Sequence, residues 1–380
     1  MATKSSPKYR VALIGAGHMG IQHARAYAMH PRCEVVAIAD TDPENLAVAT
    51  RWFKCAGYSS YDELFKKDKI DIALPILPVR ANAGAVVAAA KAGVKAVFCE
   101  KPFAGTLEDA DRMVAECKSR GIPLAGGIVP RNYPEYWKAK QLIEAGEIGE
   151  VQSITIPEPN GQGGCHGLAM ARHFALDSDV EWVTGWASGD PMSDHEDTWN
   201  GKPGFGGLGG YIRFKNGLEA FSLGKHSPRH AGVTGAIEVI GSKGVFYNDI
   251  KGLHLQKLEG GVLKEVPDLF TDFRQKDNNN FDQDGWRVPS PGTQHSVNTL
   301  IDHLDTGSPL NLSTGESLRN AYELAIALRE SARRGNAPVR LSLQDRSLKM
   351  YPEFGRWNYK KEVYGHDKYM EGIAAMKKGG

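Results

Sequence analysis

The chain has 380 residues, with 46 Lys and Arg against 45 Asp and Glu for a formal net charge of +1. Hydrophobic residues make up 41% and charged residues 24%, an ordinary globular balance, and the length exceeds what one hydrophobic core commonly holds, so two domains are expected. Near-neutral charge gives no global field to recruit nucleic acid or a membrane surface, although a local patch for an anionic small molecule is compatible with such a sum.

The five cysteines (Cys33, Cys55, Cys99, Cys117 and Cys165) are odd in number, widely spaced and without a C-x-x-C pair. That argues against a disulfide framework and against a structural zinc site. No apolar run follows the first lysines, so no signal peptide is expected. The most apolar stretch, Ala81 to Phe98, is broken by Lys91, Gly93 and Lys95 and reads as a buried helix and strand, not a membrane span. A cytoplasmic location is the expectation.

In chain order, the first elements alternate between two periods. YRVALI (Tyr9–Ile14) reads as a buried strand and His18–Met29 as a helix stopped near Pro31. CEVVAIAD (Cys33–Asp40) is a second strand, and Pro43–Phe53 a helix with proline in its first turn. DIALPIL (Asp71–Leu77) and VKAVFC (Val94–Cys99) flank an alanine-rich helix. An amphipathic helix over Thr106–Arg120 precedes the strand IPLAGG (Ile122–Gly127). This alternation predicts a parallel, doubly wound α/β sheet over residues 1–148.

Near Gly149 the pattern changes. VQSITIP, YIRFKNGLEAFSL, GAIEVIGSKGVFYND and GLHLQKLEG follow, with Lys215–Gly217 and Ser242–Gly244 placed as hairpin turns. Helices are read over Gln294–Leu304 and Ser317–Arg333, and a polar loop over Asp272–Asp284. Residues 149–340 are therefore expected to form an α+β domain around a large, mostly antiparallel sheet that can serve as a platform or an oligomer face. The aromatic-rich tail, 341–380, is expected to be an arm packed on this subunit or a neighbour.

Gly15-Ala16-Gly17-His18-Met19-Gly20 is a complete G-x-G-x-x-G between a strand and a helix, the context that gives the pattern meaning. Gly15 allows the tight turn, Gly17 lets a pyrophosphate approach the backbone, and Gly20 lets helix pack on strand. His18 and Met19 open the helix whose N–H groups and dipole favour an anion. Asp40 follows twenty residues after Gly20. A carboxylate there accepts hydrogen bonds from both ribose hydroxyls and repels a 2′-phosphate, which favours NAD over NADP. The competing reading is that Asp40 only caps the next helix.

Glu100-Lys101-Pro102, directly after a strand and downstream of this fingerprint, resembles the glucose–fructose oxidoreductase, inositol dehydrogenase and MocA family. IALPILPVRANA, GGIVPRNYPEYWKAKQLIEAGEIGEV, AIEVIGSKGVFYND and TGESLRNAYELAIALRESARRGNAPVRL resemble further family segments, so the similarity spans residues 8 to 340. The resemblance implies that Leu77, Pro78 and Asn82 line the cofactor and that Glu100 contacts its ribose. It further implies that Lys101 touches both the nicotinamide ribose and the reacting hydroxyl, and that Arg131 lies near the nicotinamide. A lysine ammonium there stabilises alkoxide character during hydride transfer.

The family's substrate helix carries Asp-x-x-x-His after a glycine pair. In Gly163-Gly164-Cys165-His166-Gly167-Leu168-Ala169-Met170-Ala171-Arg172-His173, the histidine is His173, but Ala169 stands where the aspartate belongs. Leu77, Val79 and Asn82 depart in the same way from a Thr-Pro-Asn-x-x-His pattern. His173 is the expected proton acceptor. Asp177, four residues on, or His166, seven before, would orient it in place of the missing carboxylate if each shares its helix face. Asp177 also reads as a plain helix-end residue. His166, Arg172, His173 and His295 are, with Lys101, the expected substrate contacts.

His195-Glu196-Asp197 does not have the spacing of a metal site, and none is expected. Lys225, His226, Arg229 and His230 read either as an anion-binding cluster or as a solvated loop. The expected activity is NAD-dependent oxidation of a secondary hydroxyl on a sugar, polyol or glycoside, neutral or anionic. The alternatives are an NAD-dependent glycoside hydrolase working through transient oxidation, and a non-catalytic nicotinamide-binding sensor. By analogy with relatives a homodimer or homotetramer is expected.

Overall fold

A computed structural model describes residues 8–127, 130–159, 166–193, 205–225, 227–231, 233–270 and 288–350. The readings made for Gly163–Cys165, His195–Asp197, His226, the loop over 272–284 and the tail beyond 350 lie outside these residues.

Among the described residues, 8–127 and 288–315 form one compact unit, and 130–270 and 316–350 another. Residues 130–148, expected with the first domain, thus group with the second. Residues 288–315, expected with the second, group with the first.

The first unit opens with β1 (Tyr9–Ile14), α1 (His18–Met29), β2 (Cys33–Ala39), α2 (Pro43–Phe53), β3 (Ala56–Tyr58) and α3 (Tyr61–Lys67). It continues with β4 (Ile72–Pro75), α4 (Val79–Lys91), β5 (Ala96–Cys99), α5 (Leu107–Ser119) and β6 (Leu124–Gly126). β4 and β5 are buried throughout, as central strands covered on both faces must be. The helix starts are written in the sequence. Asp42 accepts from the N–H groups of Glu44 and Asn45 ahead of Pro43, Ser60 from Glu63, and Thr106 from Asp109.

All six strands pair in parallel in the order β3-β2-β1-β4-β5-β6. The direction of winding reverses between β1 and β4, and the crevice beyond the strand ends at such a reversal is where nucleotides bind. The late helix Pro291–Thr306 belongs to this core. Val297, Leu300, Ile301 and Leu312 are buried with Tyr9, Val11, Leu13, Tyr27 and Phe98. Asp305 accepts from Tyr9 Oη at 2.7 Å and pairs with Arg32, fixing that helix's C-terminal end.

The second unit contains α6 (Pro134–Glu144), β7 (Val151–Ile156), α7 (Gly167–Phe174), β8 (Val180–Gly189), β9 (Phe205–Phe214) and β10 (Glu219–Leu223). β11 (Glu238–Gly241), β12 (Gly244–Asp249), β13 (Gly252–Glu259) and β14 (Val262–Glu265) follow. After α8, the helix Pro291–Thr306 of the first unit, come α9 (Gly315–Arg333) and β15 (Val339–Arg340). Nine strands form one sheet in the order β14-β13-β12-β11-β7-β10-β9-β8-β15, antiparallel except for the β7–β10 pair. The expected turns at Lys215–Gly217 and Ser242–Gly244 join β9 to β10 and β11 to β12.

α9 lies against β8 and β9 where glycines leave room: a Cβ on Gly185 would sit 2.3 Å from the Leu328 carbonyl oxygen. Ser331 Oγ accepts from the Gly185 N–H at 2.8 Å. The beginning of the tail packs back on α9 of the same chain. Glu323 accepts from the Leu343 N–H and from Arg346, and Tyr322 Oη accepts from the Met350 N–H.

Candidate active site

The carboxyl ends of the parallel strands line up: Ile14 stands opposite Ala39 and Pro75, and Cys99 opposite Gly126. The ladder runs one residue further, with Gly15 N donating to Ala39 O, Ile76 N to Ile14 O, Glu100 N to Pro75 O and Gly127 N to Cys99 O. Gly15, Asp40, Ile76, Glu100 and Gly127 therefore form one row along the sheet edge.

The three glycines serve three separate ends. Gly15 has φ +97°, where a side chain is strained, and a Cβ there would lie 2.4 Å from the Ile76 carbonyl oxygen and 2.9 Å from Leu77 Cδ2. A Cβ on Gly20 would fall 1.9 Å from the Gly15 carbonyl oxygen, so α1 reaches the turn only without one. Around Gly17 a Cβ meets nothing within 4 Å. That residue is the N-cap of α1, which has neither a side-chain cap nor an acidic residue in its first turn, and His18 and Met19 are half-buried beside it. An uncapped helix start facing open space fits a pyrophosphate.

Asp40 is not the cap of α2, because Asp42 fills that role. Its carboxylate instead accepts from the Ala16 N–H at 2.5 Å and the Asp42 N–H at 2.8 Å. Each oxygen takes one of these bonds, and a carboxylate has capacity for more, so the residue fits a ribose diol.

The turn after β5 carries Glu100, Lys101 and a cis-Pro102. Glu100 is buried, with Oε1 3.1 Å from His23 Nε2. A Cβ on Gly127 would come within 2.7 Å of that carboxyl group, so the glycine makes room for it. Lys101 is half-buried, whereas Cys99, Glu100, Pro102, Phe103 and Ala104 are all buried. Leu77 abuts Gly15, and Pro78 is the N-cap of α4.

Asn82 is the residue of α4 expected to line the cofactor. It is buried, and its Nδ2 donates to the carbonyls of Pro102 and Phe103, each at 3.2 Å, so its donor is spent on the Lys101 turn. Sequence reasoning missed His23. The signal was a histidine between Ile21 and Ala24 on the buried side of α1, where an imidazole needs a polar partner.

In the second unit, α7 is buried on every face, Ala169 included. His173 has no solvent exposure, and its ring packs edge-on against Trp137 at 4.7 Å and Phe174 at 5.1 Å. Nε2 lies 3.2 Å from the Tyr136 carbonyl oxygen, so that nitrogen carries the hydrogen, while Nδ1 has no partner among the described residues. Burial pushes the imidazole down to about 3, and the positive charges of Arg131 and Lys140 push the same way.

The helix stops at Phe174, and Leu176 and Asp177 follow with φ of 60° and 55°. Asp177 therefore does not share a helix face with His173 as expected. It pairs with Arg131 through two bonds of 2.7 and 2.6 Å, with Lys140 at 3.7 Å. Burial raises this carboxyl, but the Arg131 bonds and both cations outweigh it and hold the group below the usual carboxylate range. Arg131, expected near the nicotinamide, commits its guanidinium to Asp177.

Arg172 is buried and donates to the Asp177 carbonyl at 3.1 Å, a contact that closes the helix end. His166 is the N-cap of α7 and accepts from Met170 N through its carbonyl. His295 lies on α8 of the first unit, 3.2 Å from Thr299 Oγ1. Of the basic loop, Arg229 pairs with Glu238 and stacks over Tyr247, and His230 is buried with Nδ1 2.7 Å from Ser227 Oγ. These two residues are thus held by internal contacts.

A parallel sheet with this strand order, a glycine turn at its reversal point and an acidic residue just after β2 define a dinucleotide-binding domain. Residues 9–127 match the oxidoreductase family with an NAD-binding Rossmann fold (GFO_IDH_MocA). The chain is 31% identical over 259 residues to the myo-inositol 2-dehydrogenase of Thermotoga maritima, covering 63% of this chain and 75% of that one. The chain belongs to this family, and its first unit is an NAD-binding domain. It is also 33% identical over 141 residues to the 2,7-anhydro-N-acetylneuraminate hydratase of Escherichia coli, a match that spans only 37% of either chain. A solved oxidoreductase of Agrobacterium radiobacter in complex with NAD+, L-tartaric acid and magnesium shares the fold, with a TM-score of 0.67 at 20% identity over 88% of this chain and 98% of that one.

Proposed function

We propose that the protein oxidises a secondary hydroxyl of a sugar, polyol or glycoside, with NAD as hydride acceptor. The observation that carries the reading is the row of Gly15, Asp40 and the Glu100–Lys101 turn along one sheet edge of an NAD-binding domain. When bound, NAD supplies the electrophilic ring that takes the hydride. Lys101 polarises the substrate oxygen and stabilises alkoxide character as the hydride leaves. Asp40 holds the adenosine ribose, and the start of α1 holds the pyrophosphate. The hydroxyl proton is released to solvent water, because the buried imidazole of His173 is too weak a base to keep it, so polarisation by Lys101 ranks first in this reading.

The experiment is a titration of the purified protein with NAD, followed by a panel of sugars, polyols and acidic sugars. Reduction of NAD in step with substrate oxidation supports the reading. Lack of affinity for NAD and NADH would overturn it.

A second reading is supported by Ala169, which replaces the family aspartate, and by the hydratase among the relatives. A ring hydroxyl is oxidised, the acidified neighbouring C–H loses its proton, the leaving group departs, water adds, and the ketone is reduced back. Its signature is bond cleavage without net change in NAD, with solvent deuterium entering next to the oxidised carbon.

A further inference from the structure

We infer that the turn presenting Lys101 is held from both sides by two positioning residues, His23 of α1 and Asn82 of α4. The inference rests on the reading of Lys101 as the polarising group. All the residues involved belong to the first unit.

Upstream of Lys101, the buried Glu100 carboxylate is tied to His23 Nε2 at 3.1 Å. The His23 ring also packs against Phe98 of β5 at 5.0 Å, so the histidine touches both the strand and the turn it feeds. Downstream, the carbonyls of Pro102 and Phe103 need donors in a buried place. Asn82 supplies both from one amide nitrogen. The chain is thereby fixed one residue before the lysine and one and two residues after it, while Lys101 alone among residues 99–104 is not buried.

The two ties come from helices that start in the cofactor region, α1 behind the glycine turn and α4 behind Leu77 and Pro78. Such a clamp matters because displacing a reacting group by about 1 Å costs on the order of a hundredfold in rate.

The test uses the full chain with Asn82→Asp, His23→Leu and His23→Gln. Asn82→Asp keeps the shape but replaces the donor with an acceptor facing two carbonyl oxygens. His23→Gln keeps an N–H where His23→Leu removes it. In the ligand-free protein, Asn82→Asp and His23→Leu should each raise amide hydrogen exchange over 100–105 about tenfold, with exchange over 15–21 changed less than about twofold. ADP addresses only the glycine turn and Asp40, so its affinity should stay within about twofold, while turnover falls about a hundredfold. His23→Gln should restore most of both losses.

Unchanged exchange over 100–105 in either Asn82→Asp or His23→Leu would overturn the inference. So would a loss of ADP affinity as large as the loss of turnover, since that would mark general supports of the fold. Because exchange is read without cofactor, these outcomes are separate from a failure of the wild-type chain to bind NAD, which would sink the functional reading instead.

Discussion

His173 sits in the folded chain as a neutral imidazole, with one nitrogen on the Tyr136 carbonyl and the ring walled in by Trp137 and Phe174. An unfolded histidine gains its proton as pH falls through 6.5, but this one is held down to about 3. Acid therefore favours the unfolded chain across that window, by on the order of 1 kcal/mol per pH unit. His173→Gln should lose less thermal stability than the wild type between pH 6.5 and pH 4, and parallel melting curves for the two would contradict this. Asp177→Asn would leave the Arg131 guanidinium buried without its counter-charge. Since Asp177 keeps 33% of its side chain in water, a loss of about 2 kcal/mol in urea unfolding is expected, below the ~3–5 kcal/mol of a fully buried pair that loses one partner. Lys101→Met should lower turnover about a hundredfold or more while leaving the ADP dissociation constant unchanged. Sequence spacing placed Asp177 one helical turn after His173, but the left-handed residues that end α7 turn it towards Arg131. That stop carries no signal that periodicity reads, because neither Leu176 nor Asp177 is a glycine.

At the scale of elements, α1 separates two kinds of glycine. Gly20→Ala sets a methyl group 1.9 Å from the Gly15 carbonyl oxygen, so α1 must back away from β1. A loss of a few kcal/mol is expected, on the order of 2–3, together with loss of nucleotide binding. Gly17→Ala meets no atom within 4 Å in the ligand-free chain. Its melting should match wild type to within about 0.5 kcal/mol, while NADH affinity falls about tenfold or more because the methyl occupies the phosphate's approach. Calorimetry and NADH titration on the two variants distinguish them, and equal stability losses would refute the distinction. β1, α1 and α2 were legible to the residue, because apolar runs and Pro43 carry a local signal, although the cap of α2 proved to be Asp42 and not Asp40. β8 and the short α3 passed unnoticed. β8 is interrupted by Gly185, whose packing against α9 is a long-range matter.

For the molecule as a whole, the nucleotide-binding unit takes part of its core from far along the chain. Leu300 of α8 is fully buried among residues of β1, β2 and α1. Leu300→Ala should destabilise that unit by about 3 kcal/mol, read as earlier loss of NADH binding on heating, although the residue lies outside residues 9–127. Nucleotide binding that survived to the wild-type temperature would contradict this placement. The sequence by itself determined the doubly wound sheet, the glycine turn, the acidic end of β2, the Lys101 turn and the family, since each is written within a few consecutive residues as periodicity, capping or a motif. Only the tertiary structure decided that α8 belongs with the nucleotide-binding unit, that Asn82 and His23 brace the lysine turn, and that Asp177 answers Arg131. The first depends on apolar packing between parts of the chain as far apart as Tyr9 and Asp305, 296 positions, and the other two on which buried donor finds which acceptor across gaps of 20 to 77 positions. The pairing is set by the need to satisfy every desolvated polar group, a condition no local stretch of chain can meet alone.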